Sequence, residues 1–94
     1  MKVFKFLRNG KSYTISSDSK ENAQQHLKNE YGVNIPNCFE VPESEWDLRD
    51  IKMFVDNDPS KDKFYTSIRE QIPRSGTQLL ATTEPEMFGY PNGD

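Results

Sequence analysis

The sequence predicts an α+β domain: a small antiparallel sheet, led by an N-terminal β-hairpin and packed by two amphipathic helices, in the order ββα-β-β-α-β. Two observations carry this prediction. An Asn-Gly pair stands between two alternating runs near the start of the chain, and two later segments repeat apolar residues every four positions. The 94 residues are enough for one domain, which we assign to residues 1–83, with an irregular tail at residues 84–94.

The first two strands are predicted to turn at Asn9-Gly10, the residue pair that two-residue hairpin turns prefer. A turn at this point places four large apolar side chains on one face of the hairpin: Phe4, Phe6, Tyr13 and Ile15. Lys5 and Thr14 then lie on the opposite face, which we expect to be solvated. Aromatic residues are 12% of the chain, so these rings should supply much of the buried area.

The first helix is predicted at residues 19–31. Asp18 is the candidate N-cap, and Glu21 follows at the spacing of a capping box. Gly32 comes directly after the helix, where a C-terminal glycine cap is expected. One narrow apolar stripe recurs every four residues: Ala23, Leu27 and Tyr31. This stripe is expected to pack on the apolar face of the hairpin.

The middle of the chain carries weaker signals. Residues 37–41 lie between two prolines and form a candidate short strand, whereas residues 43–50 form either a loop or a helical turn. Residues 51–55 alternate between apolar and polar types and predict a strand. A helix that continues from residue 47 is the alternative.

A second helix is predicted to begin at Asp58, with Pro59 in the first helical position. Three apolar residues spaced by four support it: Phe64, Ile68 and Ile72. Pro73 should end this helix, because proline cannot continue the hydrogen-bond ladder. Residues 77–83 predict the last strand.

No residue pattern in the chain is typical of catalysis. His26 and Cys38 are the only histidine and cysteine, and we interpret them as a residue at the edge of the helix stripe and a small buried hydrophobe. Residues 56–62 resemble the start of a calcium loop, but Lys61 and Ser67 occupy the positions where an EF-hand needs Gly and Glu. The sequence therefore predicts a non-enzymatic protein with no metal and no cofactor.

Charge is unevenly distributed along the chain. The net charge is −3, but residues 1–39 carry +3 and residues 40–62 carry −5. Trp46 stands in the acidic segment, and tryptophan is enriched at binding hot spots. The leading hypothesis is a protein-binding module, for example an inhibitor, that engages a partner protein with a basic surface. The residues assigned to the contact are Trp46, Glu43, Glu45, Asp47, Asp50, Phe88 and Tyr90. An equally weighted interpretation has Trp46 folded inward, over the core.

Two alternative functions are also compatible with the sequence. The hairpin carries four basic residues that would suit nucleic-acid binding: Lys2, Lys5, Arg8 and Lys11. Packing of the hairpin rings under the helix would keep those rings from stacking on bases. The other alternative is a homo-oligomer that sequesters a small ligand between its protomers.

The general composition, short and rich in Asn, Lys and aromatic residues, resembles that of small accessory proteins encoded by phages and mobile elements. No motif carries this resemblance. The single cysteine and the absence of any long apolar run lead us to expect a cytoplasmic protein without a membrane span.

Overall fold

The computed structural model describes residues 1–58, 60–72 and 76–83, and it has the predicted α+β class. The predicted tail at residues 84–94 lies outside the described residues. The elements in chain order are β1 (Lys2–Arg8), β2 (Lys11–Ser17), α1 (Lys20–Tyr31), β3 (Cys38–Glu40), β4 (Ile51–Phe54), β5 (Lys63–Thr66), α2 (Ile68–Gln71) and β6 (Gln78–Thr82). An antiparallel sheet has the strand order β3-β1-β2-β6, and β4 and β5 form a separate antiparallel pair.

The N-terminal hairpin is confirmed in its turn and in its register. Asn9 and Gly10 have φ angles of 50° and 79°, and a type I′ turn requires positive φ at both central residues. The register pairs Phe6 with Tyr13 and Phe4 with Ile15. All four side chains are buried in a first core, together with residues of α1, of β6 and of the loop after α1: Ala23, Leu27, Ile35 and Leu79.

Helix α1 is confirmed, but its N-cap differs from the prediction. Ser19 has an extended backbone, and its hydroxyl oxygen accepts a hydrogen bond from the Asn22 N–H at 3.1 Å. Asp18 is therefore not the cap, and Glu21 lies one position too early for a capping box. Gly32 ends the helix as predicted, with a φ of 69° and its N–H donating to the Lys28 carbonyl at 3.0 Å.

The sequence predicts that the face of the sheet with Lys5 and Thr14 is solvated, but the structure covers part of this second face. Thr14 is only 7% exposed and Lys5 is partly buried, because the chain between β3 and α2 returns across this face. A second core forms there from both layers: Val3, Val41, Trp46, Ile51, Ile68 and Leu80. The sheet is thus the middle layer of three, with α1 on one face and the β4–β5 pair with α2 on the other.

A bulge in β6 brings two adjacent residues, Leu80 and Ala81, to the same face of the sheet. Thr14 pairs with Ala81 and Ile15 pairs with Leu79, so Leu80 has no partner on β2. Leu79 packs in the first core, whereas Leu80 packs in the second. The extra residue also turns Ala81 toward the second face, where it packs against the second core.

The predicted helix from Asp58 is wrong over most of its length. Residues 63–66 are strand β5, and α2 covers only Ile68–Gln71, capped by the Ser67 hydroxyl. Asp58 instead closes the turn between β4 and β5, where its carboxylate accepts from the Ser60 N–H at 3.0 Å. The four-residue spacing was misleading because residues i and i+4 share a face in a strand as well as in a helix.

The middle of the chain resolves into short elements. The predicted strands at residues 37–41 and 51–55 correspond to β3 and β4. Between them, Glu43–Glu45 form a single 3-10 turn, which agrees with the helical-turn alternative for that segment. None of the helices in the described ranges is long and apolar enough to cross a bilayer.

Candidate functional site

A cleft lies over the part of the sheet that the second core leaves uncovered. Its volume is about 550 Å³. The sheet supplies its floor, and β4 with the segment that precedes it supplies the facing wall. We refer to this feature as the cleft.

The floor of the cleft follows from the register of the strands. Lys5 pairs with Phe39 of β3 on one side and with Thr14 of β2 on the other, and Thr14 pairs with Ala81 of β6. Residues that pair directly in antiparallel strands point to the same face. These four residues therefore form one row across all four strands, and each of them lines the cleft. We call this set the floor row.

The neighbouring row of the same face belongs to the second core. Val3 pairs with Ser16, and Val3 accepts a hydrogen bond from the Val41 N–H at 2.7 Å. Val3 and Ser16 are fully buried. The boundary between core and cleft thus runs between two adjacent rows of one sheet face.

Two large apolar side chains are exposed in the cleft. Phe39, at the edge of the floor row, is 49% exposed, and Leu48, in the facing wall, is 53% exposed. Met53 and Phe54 of β4 line the same wall and are partly buried. Side chains of this kind gain most when another surface covers them, since each square ångström of apolar area removed from water contributes about 25 cal/mol.

The acidic segment divides into paired and unpaired carboxylates. Arg69 of α2 holds two of them, with its Nε donating to Asp47 Oδ1 at 2.7 Å and its Nη1 lying 4.0 Å from Glu43 Oε1. The hydrogen bond with Asp47 raises the pKa of the Arg69 guanidinium. The same guanidinium lies 5.6 Å from the centre of the Trp46 ring.

Glu45 and Asp50 differ from these two carboxylates. Neither forms an ion pair or a side-chain hydrogen bond with any part of the chain that the structure describes. Both are exposed, and both line the cleft. Two unpaired negative charges of the segment therefore lie at the cleft, which Leu48 also lines.

Trp46 folds inward, which was one of the two interpretations that the sequence left open. It is 9% exposed, and its Nε1–H donates to the Val41 carbonyl at 3.1 Å. The indole is part of the second core, so it is not an exposed anchor for a partner. The other aromatic candidates, Phe88 and Tyr90, lie outside the described residues.

Sequence reasoning missed the lining residues Phe39 and Leu48. The available signal for Leu48 was that it is, with Trp46, one of the two large apolar residues among the charges of residues 43–50. Of these two, Trp46 enters the second core and Leu48 stays exposed. Nothing in the sequence distinguishes Phe39 from the buried aromatic residues, because its exposure depends on how far the second layer extends.

The basic residues of the hairpin do not form a continuous surface. Lys5 lies in the cleft, whereas Arg8 and Lys11 line a depression beside the turn, and Arg8 Nη1 donates to the Asn34 carbonyl at 3.4 Å. Lys2 is exposed at the start of β1. As expected, the aromatic rings of the hairpin are buried in the first core, where bases cannot stack on them.

The single cysteine and the single histidine of the chain lie at the first core and on α1. Cys38 packs against the first core, and burial raises the pKa of its thiol, which lowers the thiolate fraction that nucleophilic attack requires. His26 lies edge-on to Tyr31, with their ring centres 5.8 Å apart. Within residues 1–58, 60–72 and 76–83, no three potential metal ligands are grouped.

The comparisons with known proteins identify no relative. No protein-family model, curated protein or solved structure that was compared with this chain gave a match. The cleft and its charges are therefore the observations on which a functional conclusion can rest.

Proposed function

We propose that this protein is a non-enzymatic binding module that takes up a segment of a partner protein in the cleft. The observation that carries the proposal is the combination of exposed apolar side chains and unpaired carboxylates in one concave surface. Phe39 and Leu48 supply the apolar part, and Glu45 and Asp50 supply the charge. An apolar centre beside a polar rim is typical of protein interfaces.

The charges support a partner segment that carries a lysine or arginine. Glu43 and Asp47 are already paired with Arg69, so they have less to gain from an incoming cation. Glu45 and Asp50 have no such partner in the described part of the chain. A cation on the partner would speed the encounter, and the effect should weaken as salt screens the charges.

Leu48→Glu is the variant that tests the proposal. A negative charge in the apolar part of the cleft should abolish capture of the partner, because burying it against apolar groups is costly. The measurement uses the tagged full-length protein as bait in an extract of the source cells, with captured proteins quantified by mass spectrometry. Proteins that depend on the cleft should be lost from the Leu48→Glu sample.

Leu7→Glu is the matched control for this experiment. Leu7 is 50% exposed, almost the same as Leu48, and it lies on the same face of the sheet as Lys5 but outside the lining of the cleft, so the control is a stringent one. Capture should persist with Leu7→Glu. Equal capture by the wild type and both variants would refute the proposal, and so would equal loss with both leucine variants.

A charge reversal tests the role of the acidic rim separately. Glu45→Lys should weaken capture at low salt and have a smaller effect at high salt. Glu30→Lys on α1 is the control, since Glu30 is exposed and α1 packs on the face of the sheet opposite the cleft. Identical capture by the two lysine variants at low salt would exclude Glu45 from the interface.

A further inference from the structure

Lys5 is the one charged residue of the floor row. It is partly buried, with Phe39 and Thr14 as its direct neighbours on the two adjacent strands. No carboxylate of the described residues pairs with its ammonium group, although Glu45 and Asp50 line the same cleft. The cleft therefore holds Lys5 on its floor and three charged residues on its wall: the carboxylates Glu45 and Asp50, and Lys52, whose Nζ lies 5.5 Å from the centre of the Phe54 ring.

A bound segment changes the surroundings of Lys5. In the open cleft, water solvates the ammonium group, and any segment that covers the floor row removes that water. Covering the ammonium group without a counter-ion destabilises the complex, whereas a carboxylate placed against it offsets the cost of removing the water. The floor of the cleft thus selects against segments that lack an anion at this point.

Resting on the function proposed above, we infer that Lys5 binds a carboxylate of the partner segment. The occupant is an extended peptide with three features: an aspartate or glutamate against Lys5, an apolar side chain between Phe39 and Leu48, and a lysine or arginine near Glu45 and Asp50. Charge complementarity and the position of the apolar side chains together define this pattern. This pattern specifies the charges of the partner segment more closely than the proposed function does.

The same arrangement disfavours a nucleic acid at Lys5. A phosphate backbone carries a negative charge at every nucleotide, so a strand in the cleft would bring some of its phosphates toward Glu45 and Asp50. A segment that carries charges of both signs can pair with Lys5 and with the wall carboxylates, whereas a polyanion can pair only with Lys5 and Lys52. A peptide is therefore the occupant that fits.

Selection from a random peptide library tests the inference directly. The library is displayed on phage and selected on three immobilised full-length proteins: the wild type, Lys5→Glu and Lys2→Glu. Peptides enriched on the wild type should share an acidic residue close to an aromatic or aliphatic one. On Lys5→Glu that position should change to lysine or arginine, because the charge it faces has been reversed.

Lys2→Glu is the control because Lys2 lies on the same strand and does not line the cleft. It should enrich the wild-type pattern. The same pattern from wild type and Lys5→Glu would overturn the inference, and so would the absence of a shared acidic position or of any enriched peptide. Circular dichroism melting of each variant verifies that it is folded before selection.

A second variant keeps the test valid if Lys5→Glu does not fold. Lys5→Met removes the charge and keeps an unbranched side chain that is one atom shorter. It should weaken the best wild-type peptide by about tenfold or more, the usual effect of losing a charge-assisted hydrogen bond. Lys2→Met should leave the affinity within about twofold, measured by fluorescence anisotropy. Equal affinities of the Lys5→Met and wild-type proteins would overturn the inference.

Leu48→Glu separates failure of this inference from failure of the proposed function. If Leu48→Glu abolishes peptide binding and the Lys5 variants do not alter it, the binding function stands and the role of Lys5 is refuted. If none of these variants alters binding, both are refuted. Sedimentation equilibrium completes the test, since a dimer that Leu48→Glu dissociates would assign the cleft to a second copy of the chain and overturn the inference.

Discussion

Trp46 is the residue that joins the acidic segment to the sheet. Its ring fills part of the second core, its Nε1–H satisfies the Val41 carbonyl, and its outer side faces the guanidinium of Arg69. Buried indoles usually have a hydrogen-bond partner, because an unpaired N–H away from water is costly. The residue with the strongest binding signal in the sequence therefore has a structural role, and it positions Leu48 two residues later.

Substitution of Trp46 should be strongly destabilising. Trp46→Ala removes the largest side chain of the second core, and we expect it to lower the free energy of unfolding by about 3–5 kcal/mol. Trp46→Phe keeps most of the volume but leaves the Val41 carbonyl without its donor, at a cost of about 1–3 kcal/mol. Urea unfolding followed by fluorescence of the tyrosines measures both. A loss below about 1 kcal/mol in Trp46→Ala would contradict burial of the ring.

At the scale of elements, β6 contributes a buried leucine to each of the two cores. Leu79 and Leu80 point to opposite faces, as consecutive strand residues do, and the bulge at Leu80 brings Ala81 to the second layer as well. Regular alternation would have sent Ala81 toward α1. The bulge therefore sets which β6 side chains complete the floor of the cleft.

The two leucines of β6 should contribute to stability independently. Leu79→Val and Leu80→Val each remove volume from a different core, and each should cost about 1 kcal/mol. The double variant should lie within about 0.5 kcal/mol of the sum, because the two side chains pack in different cores on opposite faces of the sheet. Chemical denaturation of the four proteins of this cycle gives the coupling energy. A larger coupling would mean that the sheet does not separate two cores.

At the scale of the whole molecule, the second layer is too small for the sheet that it covers. Helix α1 lies over the first face, but the β4–β5 pair and the four-residue α2 cover only part of the second. The uncovered part leaves Phe39 and Leu48 exposed and Lys5 without a counter-ion. The cleft is thus a consequence of the unequal size of the two outer layers.

Leu48 should contribute little to the stability of the free protein. It is half-exposed in an open cleft, so Leu48→Glu should change the free energy of unfolding by less than about 0.5 kcal/mol, as surface substitutions usually do. Thermal and urea unfolding of this variant, compared with Leu7→Glu, provide the measurement. A marked destabilisation by Leu48→Glu alone would mean that Leu48 is part of the core, which would remove it as a contact for a partner.

The predictions that succeeded are those that depend on residues close together in the chain. The Asn9-Gly10 turn sets the pairing of Phe4 and Phe6 with their neighbours on β2, and Gly32 ends α1 where its positive φ is tolerated. The error of one residue at the N-cap is of the same local kind, since Asp18 and Ser19 both have an oxygen suited to capping.

The sequence by itself determined the hairpin, the first helix and the uneven charge, because turns, caps and side-chain periodicity act over a few residues. Tertiary structure alone decided three other features: that residues 63–66 pair with β4, that Trp46 turns inward, and that Lys5 lies on the floor of a cleft. Each depends on which distant segment covers a given face of the sheet. That coverage is set by packing between segments far apart in the chain, which neither spacing nor composition encodes locally.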